Sequence, residues 1–158
     1  MGLVEKAYAW DAFNTLCATL DDRGWNYERD EEEYSVKFGV RTDDLNMEFL
    51  IIVDVEHQLV CLYSRLPFYM SEDKRGEGAI AICAVNYCLI NGTFDYDLSN
   101  GKILFRMTQS FRDCEMGKDC IQYLLDCACS TVDRYNERLY ALNKGWITLE
   151  DLLKQTAD

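Results

Sequence analysis

The sequence has one histidine, one proline and no pair of cysteines spaced as Cys-x-x-C. Zinc sites usually need such closely spaced pairs, so we expect no metal site. His57 lies in a predicted turn, and no serine or cysteine stands in a recognisable nucleophile motif, so a catalytic triad cannot be assembled. We therefore predict no catalytic residues and no cofactor. Because no stretch is rich in proline, glycine or serine, residues 1–158 are predicted to form a single domain without an internal linker.

Basic residues are also scarce, since 16 lysines and arginines stand against 28 acidic residues, for a net charge of −12. Such a surface repels phosphate backbones and anionic lipids, so nucleic acid and membranes are poor partners, whereas a basic peptide or protein is compatible. The N-terminus has no basic segment followed by a long apolar run, and Lys6 stands where a myristoylation signal has serine or threonine. We expect a cytoplasmic protein.

Cysteine, in contrast, is abundant. In a reducing cytoplasm free cysteines behave as small apolar residues, and we predict that they mainly fill the core. The alternative is a cysteine-based redox or metal sensor, for which the number of cysteines is the only argument. The eight residues are Cys17, Cys61, Cys83, Cys88, Cys114, Cys120, Cys127 and Cys129.

The longest apolar run is Ala79–Ile90, in which Asn86 is the only strongly polar residue. It is too short to span a bilayer and is apolar on every side, which predicts a helix that is covered on both sides. Residues 71–73, Ser-Glu-Asp, are a helix-start signal, and Asn91-Gly92 is the matching stop. We expect the rest of the chain to pack around this central helix.

A short apolar segment leads into the central helix. Its side chains can pack under the start of the helix or form an exposed docking patch. Packing is favoured, and a protein-docking patch is kept as the one candidate binding site. The residues of that patch are Phe68, Tyr69 and Met70.

Two longer helices and a tail are predicted from apolar spacings of three and four residues. A seam of this kind usually packs on the domain's own sheet, although a coiled coil is possible. Thr148 followed by Asp151 resembles a capping box and predicts a short helical tail over 146–156. The stripe of the first helix is Leu3, Ala7, Trp10, Phe13, Cys17 and Leu20, and the seam of the last long helix is Ile121, Leu125, Ala128, Val132, Tyr135, Leu139 and Leu142.

Alternating apolar and polar residues predict strands between these helices. The acidic residues 30–33 are interpreted as a solvated hairpin tip, with a cation-binding cluster as the alternative. Asn100-Gly101 is a strong hairpin signal because both residues accept positive φ. The predicted strands are 25–29, 34–40, 47–55, 59–66, 93–98 and 102–111.

This order of elements is similar to that of the YbjN-like family, whose fold is shared with type III secretion chaperones. The resemblance spans about Leu3 to Leu142, and Gly24-Trp25 opens the first strand as in the family. It implies an α+β fold of order α-β(β)ββ-α-β-β-α, an antiparallel sheet with helices packed on it, and often a homodimer. It carries over no catalytic residues. The closest segments are 84–87 (Ala-Val-Asn-Tyr), 92–97 (Gly-Thr-Phe-Asp-Tyr-Asp) and 101–106 (Gly-Lys-Ile-Leu-Phe-Arg).

The acidity, the absence of catalytic motifs and the resemblance together favour a non-enzymatic protein-binding module. We expect a regulatory or chaperone-like protein that acts as a homodimer and binds a segment of another protein. The alternatives are the cysteine-based redox or metal sensor and an enzyme whose site the sequence does not reveal.

Overall fold

The computed structural model describes residues 3–41 and 45–157. An α+β fold is observed, with four helices and one antiparallel sheet in the described residues. The elements follow the predicted order, and the predicted fold class is confirmed. They are α1 (Leu3–Asp22), β1 (Glu28–Asp30), β2 (Ser35–Val40), β3 (Met47–Asp54), β4 (Leu59–Tyr69), a 3-10 turn (Glu72–Lys74), α2 (Arg75–Cys88), β5 (Thr93–Asp97), β6 (Lys102–Ser110), α3 (Lys118–Asn143) and α4 (Leu149–Ala157).

The six strands lie in the order β1-β2-β3-β4-β6-β5, with every neighbouring pair antiparallel. Along each central strand alternate side chains are buried, as period-two patterning requires. The buried side chains face α1 and α3, and they join side chains of all four helices in one apolar core. The opposite face of the sheet carries no described helix.

The ladder between β4 and β6 joins the two halves of the chain. It runs from Leu59 opposite Ser110 to Arg65 opposite Leu104 and resumes at Tyr69 opposite Lys102, with an irregularity between Arg65 and Tyr69. β6 therefore enters the sheet beside β4, and β5 is left at the edge.

The predicted seam of α3 is confirmed, since all seven of its side chains are buried. α3 packs on β3, β4 and β6 of its own chain and on α1, so the seam is satisfied without a coiled coil.

The predicted stripe of α1 is only partly right. Phe13, Cys17 and Leu20 are buried, but Trp10 and Ala7 are exposed, and the side chain of Leu3 lies outside the described residues. α1 contacts both β3 and α3, so its buried face is rotated from the predicted stripe. Other side chains of α1 that the predicted stripe does not include are buried, namely Ala9, Ala12 and Leu16.

The prediction that the central helix is covered on both sides is wrong for the single chain. Ile82 and Val85 are buried, but Ile80 is 53% exposed and Tyr87 is 92% exposed. α2 packs on β5, α3 and α4, and its remaining side faces outward. A run that is apolar all round therefore has one uncovered face.

The turn of the hairpin between β5 and β6 is one residue longer than the predicted Ser99-Asn100-Gly101. Asp97 pairs with Lys102, so the loop has four residues, and of Asn100 and Gly101 only Gly101 has positive φ, +79°. The N–H of Met70 donates to the carbonyl of Gly101 at 2.8 Å. A Cβ atom on Gly101 would lie 2.2 Å from the Met70 carbonyl oxygen, so both the backbone angle and this close approach require glycine.

The predicted helical tail is present as α4, which begins three residues later than predicted. The capping box is confirmed, because the N–H of Thr148 donates to the Asp151 carboxylate at 3.0 Å and the N–H of Asp151 donates to Thr148 Oγ1 at 3.1 Å. α4 packs on α2 and α3 through the fully buried Leu152. None of the helices described is long and apolar enough to cross a bilayer.

Candidate protein-binding surfaces

The sheet face opposite the helices carries an apolar patch. Its members project from the alternate positions of β3, β4 and β6 that do not face the core, and most are half-buried although no described helix covers them. Leu50 lies opposite Tyr63, and Ile52 lies opposite Cys61. The open-face patch consists of Leu50, Ile52, Cys61, Tyr63 and Leu104.

A trough of about 710 Å³ lies over part of this patch. Leu50, Tyr63 and Leu104 contribute its apolar surface, and Gly39 contributes backbone without a side chain. Polar side chains of β1, β2 and β3 also line it. A concave apolar surface with a polar rim is the usual form of a binding site for a peptide or a small molecule.

Two arginines border the open-face patch in fixed positions. The guanidinium of Arg106 makes two hydrogen bonds to the Asp95 carboxylate, at 2.8 and 3.1 Å, and these bonds raise the pKa of Arg106. Arg65 lies over the ring of Tyr69, at 4.9 Å from its centroid, and donates to the Tyr69 hydroxyl. Because both guanidinium groups already have these partners, they are less available to form hydrogen bonds with a bound molecule.

Three charged side chains at the rim of the trough are not engaged in this way. Glu28, Lys37 and Glu48 line it, are exposed and form no ion pair with the residues that the structure describes. Arg65 lines the trough as well, so the lining holds two acidic and two basic side chains and carries no net charge.

The second candidate surface is the outer face of α2. Ile80, Cys83 and Tyr87 are exposed and stand at positions i, i+3 and i+7, which lie on one side of a helix. Ile90, just beyond the helix, is also exposed. No charged residue occurs between Glu77 and Asp95. We call Ile80, Cys83, Tyr87 and Ile90 the outer stripe.

The sequence matches the model of one protein family over most of its length. Residues 13–141 match the YbjN family, described as "Putative bacterial sensory transduction regulator". This chain belongs to the YbjN family. Among curated proteins, no sequence matches it.

The solved structures that are similar to this YbjN-family chain include the following two. A chain of the ExsC–ExsE complex aligns with a TM-score of 0.58 at 13% identity, covering 88% of this chain and 97% of that one. The structure of E. coli YbjN aligns with a TM-score of 0.49 at 14% identity, covering 91% of this chain and 90% of that one. At this identity the first likeness establishes the type III secretion chaperone-like fold and nothing further.

The predicted docking patch of Phe68, Tyr69 and Met70 does not lie on one surface of this YbjN-family protein. Met70 is 1% exposed in the core, and the ring of Phe68 packs against Tyr140 at 5.2 Å. Only Tyr69 is exposed, because the side chains along the end of β4 point in different directions. Met70 is therefore packed in the core and Phe68 is partly packed, in agreement with the alternative that the sequence favours.

Sequence reasoning missed Trp146, which is 71% exposed beside the same segment. Its ring packs edge-on against Tyr140, at 5.6 Å, on the loop between α3 and α4. Asn143 fixes that loop to β4, because its amide donates to the Tyr69 carbonyl at 3.0 Å and accepts from the Ser71 N–H at 2.8 Å. Trp146 stands alone between two predicted helices, so no periodic pattern of apolar residues could have indicated an exposed aromatic surface there.

The expectation that the cysteines mainly fill the core is wrong. Only Cys17 and Cys61 are buried, and two others are half-buried. Burial raises the pKa of Cys17 and Cys61, and it raises the pKa of Cys129 to about 11, so these thiols stay protonated near neutral pH. Among the described residues no group of three or more histidine, cysteine, aspartate or glutamate side chains could hold a metal ion. The exposed cysteines are Cys83, Cys88, Cys114 and Cys120.

His57 is exposed in the turn between β3 and β4, as the sequence predicts. Asp54 closes this turn, because one of its carboxylate oxygens accepts from the His57 N–H at 2.9 Å and the other lies 2.9 Å from His57 Nδ1. The hydrogen bond to Asp54 raises the pKa of His57, and the bond from the His57 N–H lowers the pKa of Asp54. The pair supports the turn.

Proposed function

We propose that this chain is a non-enzymatic regulatory protein that acts as a homodimer in the cytoplasm and binds a segment of another protein. The observation that carries the proposal is the uncovered apolar trough on the sheet face opposite the helices. Apolar surface of this kind is costly to leave in water, and monomeric proteins usually keep such patches for a partner. Membership of a family described as sensory transduction regulators supports the regulatory role.

The outer stripe of α2 supports the homodimer. Two copies that each carry a charge of −12 repel one another, so they meet most easily at an uncharged surface. The outer stripe provides one, and its side chains lie in a row that a two-fold axis can pair with itself. The dimer uses α2 and leaves the open-face trough, on another side of the molecule, free for a partner.

The cytoplasm is the compartment in which the four exposed thiols stay reduced. The acidic surface disfavours nucleic acid and anionic membranes as partners and favours a basic protein segment.

Light scattering on a sizing column tests the homodimer, since the single chain has a mass of 18.4 kDa. We expect twice that mass at micromolar concentration. Ile80→Asp should give the monomer with an unchanged melting temperature, because Ile80 is exposed in the single chain. Val4→Asp, at an exposed apolar residue of α1, is the matched control and should remain a dimer. A monomer at all concentrations in the wild type would remove this part of the proposal.

Affinity purification from the native cytoplasm tests partner binding. A tagged wild-type chain should isolate a discrete protein, identified by mass spectrometry, that Leu104→Lys in the trough no longer isolates. Leu98→Lys, in the exposed loop between β5 and β6, is the control and should isolate it as the wild type does. If the two variants isolate the same proteins as the wild type, the trough is not the binding site.

The four exposed cysteines favour a second candidate function, a thiol-based sensor. Treatment with hydrogen peroxide would then change the mass of the native protein or the set of proteins that it isolates, and a reductant would reverse the change. No difference between the oxidised and reduced protein in these measurements would exclude the sensor.

A further inference from the structure

The sequence contains two Asn-Gly dipeptides, Asn91-Gly92 and Asn100-Gly101. In such a dipeptide the main-chain nitrogen of the glycine can attack the carboxamide of the asparagine, because glycine has no side chain that shields the nitrogen or restricts the backbone. Whether the attack occurs in a folded protein depends on how the two groups are held relative to one another. The two dipeptides of this chain are held in opposite ways.

Asn100-Gly101 is held with its reacting groups apart. The N–H of Gly101 donates to the main-chain carbonyl of Asp97 at 2.7 Å, so it points away from the carboxamide. The Asn100 carboxamide donates to the Asp97 carboxylate at 2.6 Å and accepts from the N–H of Lys102 at 2.8 Å. These bonds must break before the carboxamide can meet the Gly101 nitrogen.

Asn91-Gly92 is held with its reacting groups in contact. The N–H of Gly92 donates to Asn91 Oδ1 at 2.9 Å rather than to a main-chain carbonyl. The nitrogen of the same carboxamide reaches the Tyr123 hydroxyl only at 3.4 Å, which is a weak contact. Asn91 is half-buried, so water has access to it. The Gly92 nitrogen therefore lies beside the group that it attacks, an arrangement that favours an intramolecular reaction.

The core fixes the glycine of this dipeptide. The φ angle of Gly92 is +80°, and a Cβ atom there would lie 2.5 Å from the Phe105 ring and 2.8 Å from the Met107 side chain. Both the backbone angle and the packing require glycine after Asn91. The fold thus depends on the residue that makes Asn91 reactive.

Asn91 lies next to the outer stripe. Ile90, the last member of the stripe, precedes it directly and is fully exposed, and the ring of Tyr123 beside its amide is 52% exposed. No charged residue occurs between Glu77 and Asp95. A carboxylate at position 91 would therefore place a charge at the edge of an uncharged surface.

We propose that Asn91 deamidates in the native protein and that the new carboxylate weakens the homodimer. The effect on the dimer rests on the proposed function, because it assumes that the outer stripe pairs two copies. The Gly92 nitrogen loses its proton to solvent and bonds to Asn91 Cγ, the carboxamide C–N bond breaks, and the amino group leaves as ammonia with a proton from solvent. Water then adds to either carbonyl of the succinimide and breaks the ring, which leaves aspartate or isoaspartate.

Two-fold symmetry doubles the effect of the modification. Each modified chain brings a carboxylate to the same interface, and like charges that face one another across an interface oppose binding. Isoaspartate also lengthens the main chain between α2 and β5 by a carbon atom, directly before Gly92 packs on Phe105. The dimer should therefore weaken as the protein ages.

Mass spectrometry of the full chain, incubated at mildly alkaline pH either folded or in urea, tests the site. Chymotrypsin separates the two asparagines, because Phe94 and Tyr96 lie between them. We expect Asn91 to react at a similar rate in the folded and the unfolded chain, whereas the fold should slow Asn100 by roughly tenfold or more. If the fold protects both asparagines equally, the site is overturned.

Light scattering over a dilution series tests the effect on the dimer. Asn91→Asp should raise the dissociation constant of the dimer by roughly tenfold. Asn26→Asp adds the same charge at an exposed asparagine beside β1, at the opposite end of the sheet from β5 and α2, and should dimerise as the wild type does. Aged wild-type protein should lose the dimer in proportion to its modified fraction. Asn91→Gln should keep it, since the longer side chain would have to close a larger ring.

The two measurements separate this inference from the proposed function. If the wild type is a monomer at all concentrations, the homodimer and the effect of the charge on it both fall, and the mass measurement alone decides the site. If the wild type and Asn91→Asp dimerise equally well, the homodimer stands and the effect of deamidation is overturned.

Discussion

The side-chain amide of Asn86 bonds both main-chain groups of Phe94: its nitrogen donates to the Phe94 carbonyl at 2.9 Å, and its oxygen accepts from the Phe94 N–H at 2.8 Å. One residue of α2 thus takes the place of a strand at the edge of β5. Exposed edge strands invite pairing with other chains, and native proteins block them in various ways. Here a single carboxamide inside an otherwise apolar run performs that task.

Asn86→Ala should therefore both destabilise the protein and open the β5 edge. The two groups of Phe94 lose their partner, and we expect the free energy of unfolding to fall by about 1–3 kcal/mol. Urea denaturation measures this loss, and light scattering on heating should show earlier aggregation. Asn26→Ala, at an exposed asparagine, is the control. If both variants have the stability of the wild type, the bonds to Phe94 contribute nothing.

Ile80 and Ile82, two residues apart on α2, should respond in opposite ways to a charge. Ile82 is buried against the core, so Ile82→Asp places an unpaired carboxylate there and should cost on the order of 3–5 kcal/mol, enough to give unfolded or insoluble protein. Ile80→Asp should fold normally and lose only the dimer. Thermal melting measures whether each variant folds, and light scattering on a sizing column measures whether it is a dimer. A native-like melt of Ile82→Asp would show that this side of α2 is not part of the core.

The thiols should react with a maleimide in the order of their exposure. Cys83, Cys88, Cys114 and Cys120 should be modified first in the native protein. Cys17, Cys61 and Cys129 should remain unmodified near neutral pH because burial keeps them protonated. Peptide mass mapping after timed labelling gives the order. At micromolar concentration Cys83 should be slower than the other exposed thiols if the outer stripe forms the dimer, and equal rates would argue against that interface.

The turn between β3 and β4 should depend on pH through two groups. The pKa of His57 is raised in the folded protein, so its contribution is complete below the unfolded value and is lost as the pH rises through the folded value. The pKa of Asp54 is lowered, so its contribution is complete above the unfolded value and is lost as the pH falls through the folded value. Titration of the His57 ring by NMR should show that Asp54→Asn returns the pKa of His57 toward its ordinary value, whereas Glu56→Gln shifts it much less.

Much of the fold could be predicted because its signals are local. Alternation placed five of the six strands within a few residues of their ends, and the spacing of apolar residues placed every buried side chain of the predicted α3 seam. Thr148 and Asp151 predicted the start of a helix because both halves of a capping box stand within one turn.

The surfaces could not be predicted in the same way. The apolar run predicts that α2 is shielded from water, but it does not show whether this chain or another chain shields it. Ile80 and Tyr87 are therefore exposed in the single chain although the run predicts that they are covered. The trough is lined by side chains from four different strands and from residues 26 and 27, and local patterns do not give how these segments lie side by side. The burial of Met70 beside the exposed Tyr69 could not be predicted either, because composition does not give the direction of a side chain at the end of a strand.

The ladder between β4 and β6 has a consequence for the order in which the chain folds. β1 to β4 follow one another along the sequence, and β5 and β6 form their own hairpin, so each group can form from local contacts. The two groups meet only when β6 pairs with β4 across the intervening α2, and this long-range pairing carries the larger loss of chain entropy. We expect pulse-labelled hydrogen exchange to show amides shared by β5 and β6 protected before those shared by β4 and β6. Until that later pairing forms, the edge of β4 is open to other nascent chains, and this interval is when the protein is most exposed to misassembly.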